Sequence, residues 1–197
     1  MKITTFILLA SCFITVIVHS QVPTNTKAMA EKEQYRKAMV DYNDFKNLVT
    51  ELEERRENRL VSLDVFLKMA KEENVVILDS RSDFRFNRKH LKGAIHLDFT
   101  DFTQTNLLQL IPNQNTKILI YCNNNFDGDP IDFSTKMYDP NKIIETQILS
   151  NRKPIMLALN IPTHINLYGY GYRNVYELDE LVNVNDTRIK FEGTEVK

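Results

Sequence analysis

Two short runs of consecutive apolar residues, Asn74–Leu78 (N-V-V-I-L) and Lys117–Tyr121 (K-I-L-I-Y), constrain this chain more than any other feature. Neither run alternates apolar with polar, as a strand with one wet face would. A short, continuous, β-branched run belongs to a strand buried on both faces. Such a sheet needs helices on both sides, and the segments between the runs supply them. Ser62 is placed to N-cap a short helix from Leu63 to about Lys71, and Arg81–His90 has helical character. A third helix runs from Thr163 to Tyr168, with Pro162 at its entrance and Gly169 at its exit. Brief extended pieces are expected at Ala94–Leu97 and Asn174–Leu178. Strands alternating with helices predict an α/β layer structure with a mainly parallel sheet.

The ends of the chain are of other kinds. Residues 1–20 join a positive start, Met1-Lys2, to an uncharged apolar run from Ile3 to Val18, with Val18 and Ser20 ahead of Gln21. This pattern is that of a secretory signal peptide, so the mature protein is expected to be exported, to a periplasm or the extracellular space. The run is short for a bilayer span. Leu9-Ala10-Ser11-Cys12 also resembles a lipoprotein box, and lipid attachment at Cys12 is the one route to a membrane once the signal is removed. Residues 21–58 read as a helical extension: no Gly or Pro interrupts Ala28–Glu57, and Tyr35, Met39, Tyr42, Phe45, Val49 and Leu52 recur at helical steps. Such a stripe packs on the protein's own core or on a partner helix. The main domain is then 59–185, with a tail at 186–197.

Charge and composition exclude several functions. The formal net charge of −1 offers no field for nucleic acid or an anionic membrane. With 5 Gly in the chain there is no glycine-rich phosphate loop. Of the 2 cysteines, removal of the signal leaves Cys122 alone, so disulfide architecture is excluded and a reactive thiol becomes the question. Cys122 follows K-I-L-I-Y directly, at the carboxyl end of a central strand, where open α/β sheets bind their ligands. Backbone amides at such a place favour a thiolate and bind anions.

Several segments together resemble a rhodanese-like (sulfurtransferase) domain. Asp79-Ser80-Arg81 is similar to the family's D-x-R, with Asp83-Phe84 after it, and His90-Leu91-Lys92-Gly93-Ala94-Ile95-His96-Leu97 resembles its H-I-P-G-A-x-x-I. Tyr121-Cys122 matches the strand that ends in the nucleophile, and Leu167, Gly171-Tyr172, Asn174-Val175-Tyr176 and Leu178 fit the late part of the pattern. The resemblance implies a three-layer fold with a five-stranded, mainly parallel sheet between helices. It also implies a cysteine that takes sulfane sulfur from a thiosulfate-type donor, carries it as a persulfide and yields it to a thiol acceptor, without a cofactor.

The chain departs from the family at the active-site loop. In place of a loop like C-x-x-G-x-R stands Cys122-Asn123-Asn124-Asn125-Phe126-Asp127, followed by an insertion at about 126–157. A loop this long inside a domain is functional or mobile, and a short helix is expected within it at about 141–149. The residue six past Cys122 is Gly128, which disfavours the C-x5-R phosphatase arrangement.

The site assignment is therefore Cys122 as nucleophile, with Asn123, Asn124, Asn125, Phe126 and Arg81 as the residues for substrate contact; the three asparagines equally suit a turn, and Arg81 suits a structural pairing with Asp79. Asp79 and His90 are expected to be structural beside the site. Asp127 and Asp129 are expected to raise the thiol's pKa, and Arg152 and Lys153 to restore positive charge. Asp127-Gly128-Asp129 with Asp132 lacks the register of a calcium loop, and no metal is expected. Three readings stay open: a sulfurtransferase or sulfur carrier; an inactive module binding a protein through the N-terminal helix or the insertion; and a thiol redox protein lacking a resolving cysteine.

Overall fold

A computed structural model of the chain describes residues 35–139 and 154–196. Two compact units divide it, Met1–Val40 and Asp41–Lys197. The described part of the first, residues 35–40, carries neither helix nor strand, and Tyr35 and Met39 are exposed.

The second unit runs in the order α1 (Tyr42–Glu57), β1 (Leu60–Val61), α2 (Leu63–Met69), β2 (Val75–Asp79), α3 (Asp83–Arg88), β3 (His90–Leu91), β4 (Ile95–His96) and α4 (Gln104–Leu110). It continues with β5 (Lys117–Tyr121), β6 (Phe126–Asp127), β7 (Met137–Tyr138), β8 (Ile155–Met156), α5 (Asn160–Gly169), β9 (Val175–Leu178), β10 (Val182–Asn183) and β11 (Phe191–Glu192). The main sheet has five strands in the order β1-β9-β5-β2-β4, and every pair is parallel. Strand β5 lies at its centre, with Asp79 opposite Tyr121 on one side and Ile118 opposite Val175 on the other.

The apolar runs acquire their meaning here. Side chains alternate along β5, and both faces are buried. Ile118 and Ile120 join Leu78, Leu107, Ile111, Leu167 and Tyr172 in the core beneath α4 and α5. Leu119 and Tyr121 join Leu63, Phe66, Leu91, Phe126, Phe133 and Leu178 in the core on the α2 side.

Helix α1 begins later than the hydrophobic spacing predicts. Asp41 caps it, its side chain accepting hydrogen bonds from the amides of Asn43 at 2.8 Å and Asp44 at 3.0 Å. Residues 28–34 of the expected helix lie outside the described residues. Leu52 is the one fully buried side chain of α1, so its seat on the domain rests largely on polar ties. Arg56 grips Glu177 through two hydrogen bonds of 2.8 and 2.6 Å, Arg55 donates to the Arg173 carbonyl, and Glu51 accepts from the Tyr168 hydroxyl.

Three small sheets finish the domain: β3 with β11 and β7 with β8 are antiparallel, and β6 with β10 is parallel. The start of the insertion is thus built into the core through Phe126 and Phe133, each 1% exposed. The helix expected at 141–149, with Arg152 and Lys153, lies outside the described residues. Helix α4, capped by Thr103, was not anticipated, because Leu107 is its one fully buried side chain. Among the described residues no helix is long and apolar enough to cross a membrane, and no cluster of three His, Cys, Asp or Glu side chains could hold a metal ion.

Candidate functional site

The site is built on the carboxyl ends of β2 and β5. Asp79, the last residue of β2, receives the Tyr121 hydroxyl at 2.5 Å and the Arg81 backbone N–H at 2.9 Å. Its carboxylate also takes Arg81 Nε at 3.0 Å and Nη2 at 2.7 Å. The guanidinium goes on to the carbonyls of Asp132 (3.1 Å) and Lys89 (2.7 Å) and lies 4.6 Å over the Phe133 ring. Both partners are sealed from water, with side chains 0% and 1% exposed. Desolvation would lower the Arg81 pKa, but the Asp79 carboxylate outweighs it and the pKa is raised. Arg81 is therefore spent on structure. Among the described residues, four of its five N–H donors have partners.

Cys122 sits above this pair. The thiol is 0% exposed and accepts a hydrogen bond from the backbone N–H of Leu159 at 3.3 Å, with the Asn123 N–H beside it. Burial pushes its pKa up, the two N–H groups oppose that in part, and Asp79 adds to the rise. The carboxylate acting on the thiol is thus Asp79, where Asp127 and Asp129 were expected. Asp129 is tied to Lys89 at 3.0 Å, and Asp127 is turned to solvent on β6.

The three asparagines after Cys122 form a single 3-10 turn and have three different fates. Asn125 is an internal strut. Its Oδ1 accepts from the Cys122 N–H at 2.9 Å and from Asn160 Nδ2 at 2.8 Å, while its Nδ2 donates to the carbonyls of Leu178 and Glu180. Asn124 exchanges two hydrogen bonds with the backbone of Lys136, at 3.0 and 2.7 Å, clamping the turn to the insertion. Asn123 is 3% exposed, and its Oδ1 is buried without a partner.

Four of the residues assigned to substrate contact have partners inside the protein: Arg81 pairs with Asp79, Asn124 holds the Lys136 backbone, and Asn125 and Phe126 turn inward. Phe126 does not face a substrate space; its aromatic side chain is drawn into the core against Tyr121, Phe133 and Phe191. Asn125 is consumed by backbone partners. His90 stacks on Phe86 at 3.8 Å and shares a 2.7 Å hydrogen bond with its carbonyl.

Two cavities flank the turn. One, of about 500 Å³, is lined by Arg81, Arg85, Asp98, Asn123, Lys136 and Leu159 among others. The other, of about 400 Å³, lies against Asn124, Asn125, Arg56 and Glu177. Cys122 lines neither; Asn123 and Leu159 stand between it and the first. Sequence reasoning missed Arg85, Lys136 and Leu159 because they reach the turn from α3 and from both ends of the insertion, and no local pattern marks them.

Residues 62–131 match the family model of the rhodanese-like domain. No curated protein matches the chain. Among solved structures the chain is similar to the BH2092 protein from Bacillus halodurans, at 16% identity and a TM-score of 0.30, over 41% of this chain and 58% of that one. The chain therefore spans less than two thirds of that structure's length.

Proposed function

The chain carries a rhodanese-like domain, and on that footing we propose that it handles sulfane sulfur as a persulfide on Cys122. The observation that carries this reading is the thiol's place. Cys122 follows the central strand, beside the Asp79–Arg81 pair, with the Leu159 N–H on its sulfur, the Asn123 N–H next to it and a cavity behind the adjoining residue. Those N–H groups stabilise a thiolate or the outer charge of a persulfide once formed.

With thiosulfate the Cys122 thiolate attacks the outer sulfur, the S–S bond of the donor breaks, and sulfite leaves with the electron pair. A thiol acceptor then takes the outer sulfur and returns the cysteine. The raised thiol pKa and the Leu159 cover both oppose the first step. A second reading, a rhodanese-fold module that binds without transferring sulfur, is favoured by that same complete burial of the thiol.

Intact-mass measurement separates the two. Incubation with thiosulfate or inorganic polysulfide should add one sulfur atom, removable by cyanide and absent in Cys122→Ser. If neither donor adds sulfur, the binding-module reading stands. Export of the mature chain, beginning at Gln21, is part of the same proposal, and the mass of the secreted protein checks it.

A further inference from the structure

The α2 side of the sheet is not closed evenly. Ile77 on β2 and Leu119 on β5 are register partners in one apolar layer, yet Leu119 is 0% exposed and Ile77 is only half-buried. Val75, two residues earlier on the same face, is half-buried as well. The cover stops short because α2 has 7 residues, about 10 Å of helix, and packs toward β9. A cavity of about 310 Å³ is left against Val75 and Ile77, with Leu67 and Ala70 as its apolar wall on the α2 side. Leu67 and Ala70 are also half-buried, so all four keep surface to offer a ligand.

The rim of this cavity is basic. Lys71, Lys92, Lys190 and Arg188 line it, and no acidic side chain does. Arg188 is neutralised by Asp64 at 2.7 Å and Asp186 at 2.6 Å. The Lys92 N–H donates to the Lys190 carbonyl at 2.9 Å, which holds together the two segments that carry these lysines. Glu192 acts on Lys92 but is itself held by the Gly93 N–H and His90. Among the described residues no ion pair engages Lys71, Lys92 or Lys190. An inorganic anion would leave the apolar floor unused, and a peptide would find no side-chain acceptor on the lining for its N–H groups.

We propose that this cavity binds a fatty carboxylate, its unbranched chain lying on Leu67, Ala70, Val75 and Ile77 and its carboxylate among Lys71, Lys92 and Lys190. The volume is that of a small ligand site. No lining residue is shared with the two cavities at the Asn123–Asn125 turn, so the site stands apart from the sulfur reading of Cys122.

Hexanoate, octanoate and decanoate are titrated calorimetrically into the full-length protein, below the concentration at which decanoate forms micelles. Each methylene taken out of water is worth a factor of about three to four, so affinity should rise about tenfold from one acid to the next. Decyltrimethylammonium, with the same chain and the opposite charge, should bind at least about tenfold more weakly than decanoate. Lys92→Met and Lys190→Met should each weaken decanoate about threefold, and the double variant about tenfold. Their far-UV circular dichroism should be unchanged, because neither ammonium holds anything in the fold. No binding, an affinity independent of chain length, equal affinity for the cationic amphiphile, or a double variant that binds like the wild type overturns the inference. Sedimentation of the protein with phosphatidylglycerol vesicles without decanoate binding assigns the lysines to a membrane surface, and overturns it as well.

Discussion

Removal of the charge on Asp79 should be among the most destabilising single changes available in this domain. Asp79→Asn keeps the volume but leaves the Arg81 guanidinium, 1% exposed, without a counter-ion. It also turns an amide N–H toward a donor. Breaking a sealed ion pair from one side costs about 3–5 kcal/mol, because the remaining charge stays buried. Against the ~5–15 kcal/mol that hold a typical domain together, that is a large share. With a urea m-value of roughly 2 kcal/mol/M, the midpoint should fall by about 2 M. The chain has no Trp, so far-UV circular dichroism is the suitable signal. The pair can be isolated with Arg81→Met, which frees the carbonyls of Lys89 and Asp132 as well, and with the double variant. If the argument is right, the double is more stable than the sum of the singles predicts, by roughly 2–3 kcal/mol. A loss below about 1 kcal/mol in Asp79→Asn, or additive singles, would refute the claim that the site's floor is an obligate charge pair.

Other consequences can be read from separate parts of the molecule. The Cys122 thiol, buried and with its pKa raised, should react with iodoacetamide at least about tenfold more slowly at pH 8 than in urea-unfolded protein; equal rates would mean the Leu159 cover is open in solution. His164 is 2% exposed and its pKa is lowered to about 4, by burial first and by Arg56, Arg55 and Arg59 next. A lowered folded pKa gives a contribution complete above the unfolded value of 6.5 and lost as pH falls through it toward 4, up to about 3 kcal/mol. His164→Asn should therefore flatten the loss of stability between pH 6.5 and 4. Glu177, 3.9 Å away and with its pKa raised by burial, titrates with the opposite sign in both proteins. Gly193 has φ +135, and a Cβ there would meet the Arg88 carbonyl oxygen. Gly193→Ala should thus cost more than about 1 kcal/mol by displacing β11 from β3, a loss visible as a lower thermal midpoint.

What the sequence made legible was decided by how far each element carries its own pattern. Strands β2 and β5 are covered on both faces, so burial writes itself as an unbroken apolar run, and the fold class follows. Strands β3, β6, β7, β8, β10 and β11 are two residues long and have no period to read. Helix α1 was extended too far because Tyr35 and Met39 continue its spacing, although Asp41 supplies the cap that starts it at Tyr42. The place of the thiol could be read from the end of β5. Its cover could not, because the N–H on its sulfur comes from Leu159, across the insertion.

The asparagine run shows why residue type alone did not assign the site. Asn123, Asn124 and Asn125 are chemically identical, and from sequence they share the same two readings, a turn or contact with substrate. In a 3-10 turn successive side chains point about 120° apart, so three neighbours cannot share one target. One lines the cavity while its Oδ1 is buried and unpaired, one meets the Lys136 backbone, and one turns back to Cys122 and the end of β9. The turn thus distributes one chemistry over three tasks: a vacant acceptor, a clamp on the insertion, and a strut under the loop. Selectivity at this site therefore has to come from the charges that line the cavity, contributed by α3, the Asp98 turn and the insertion.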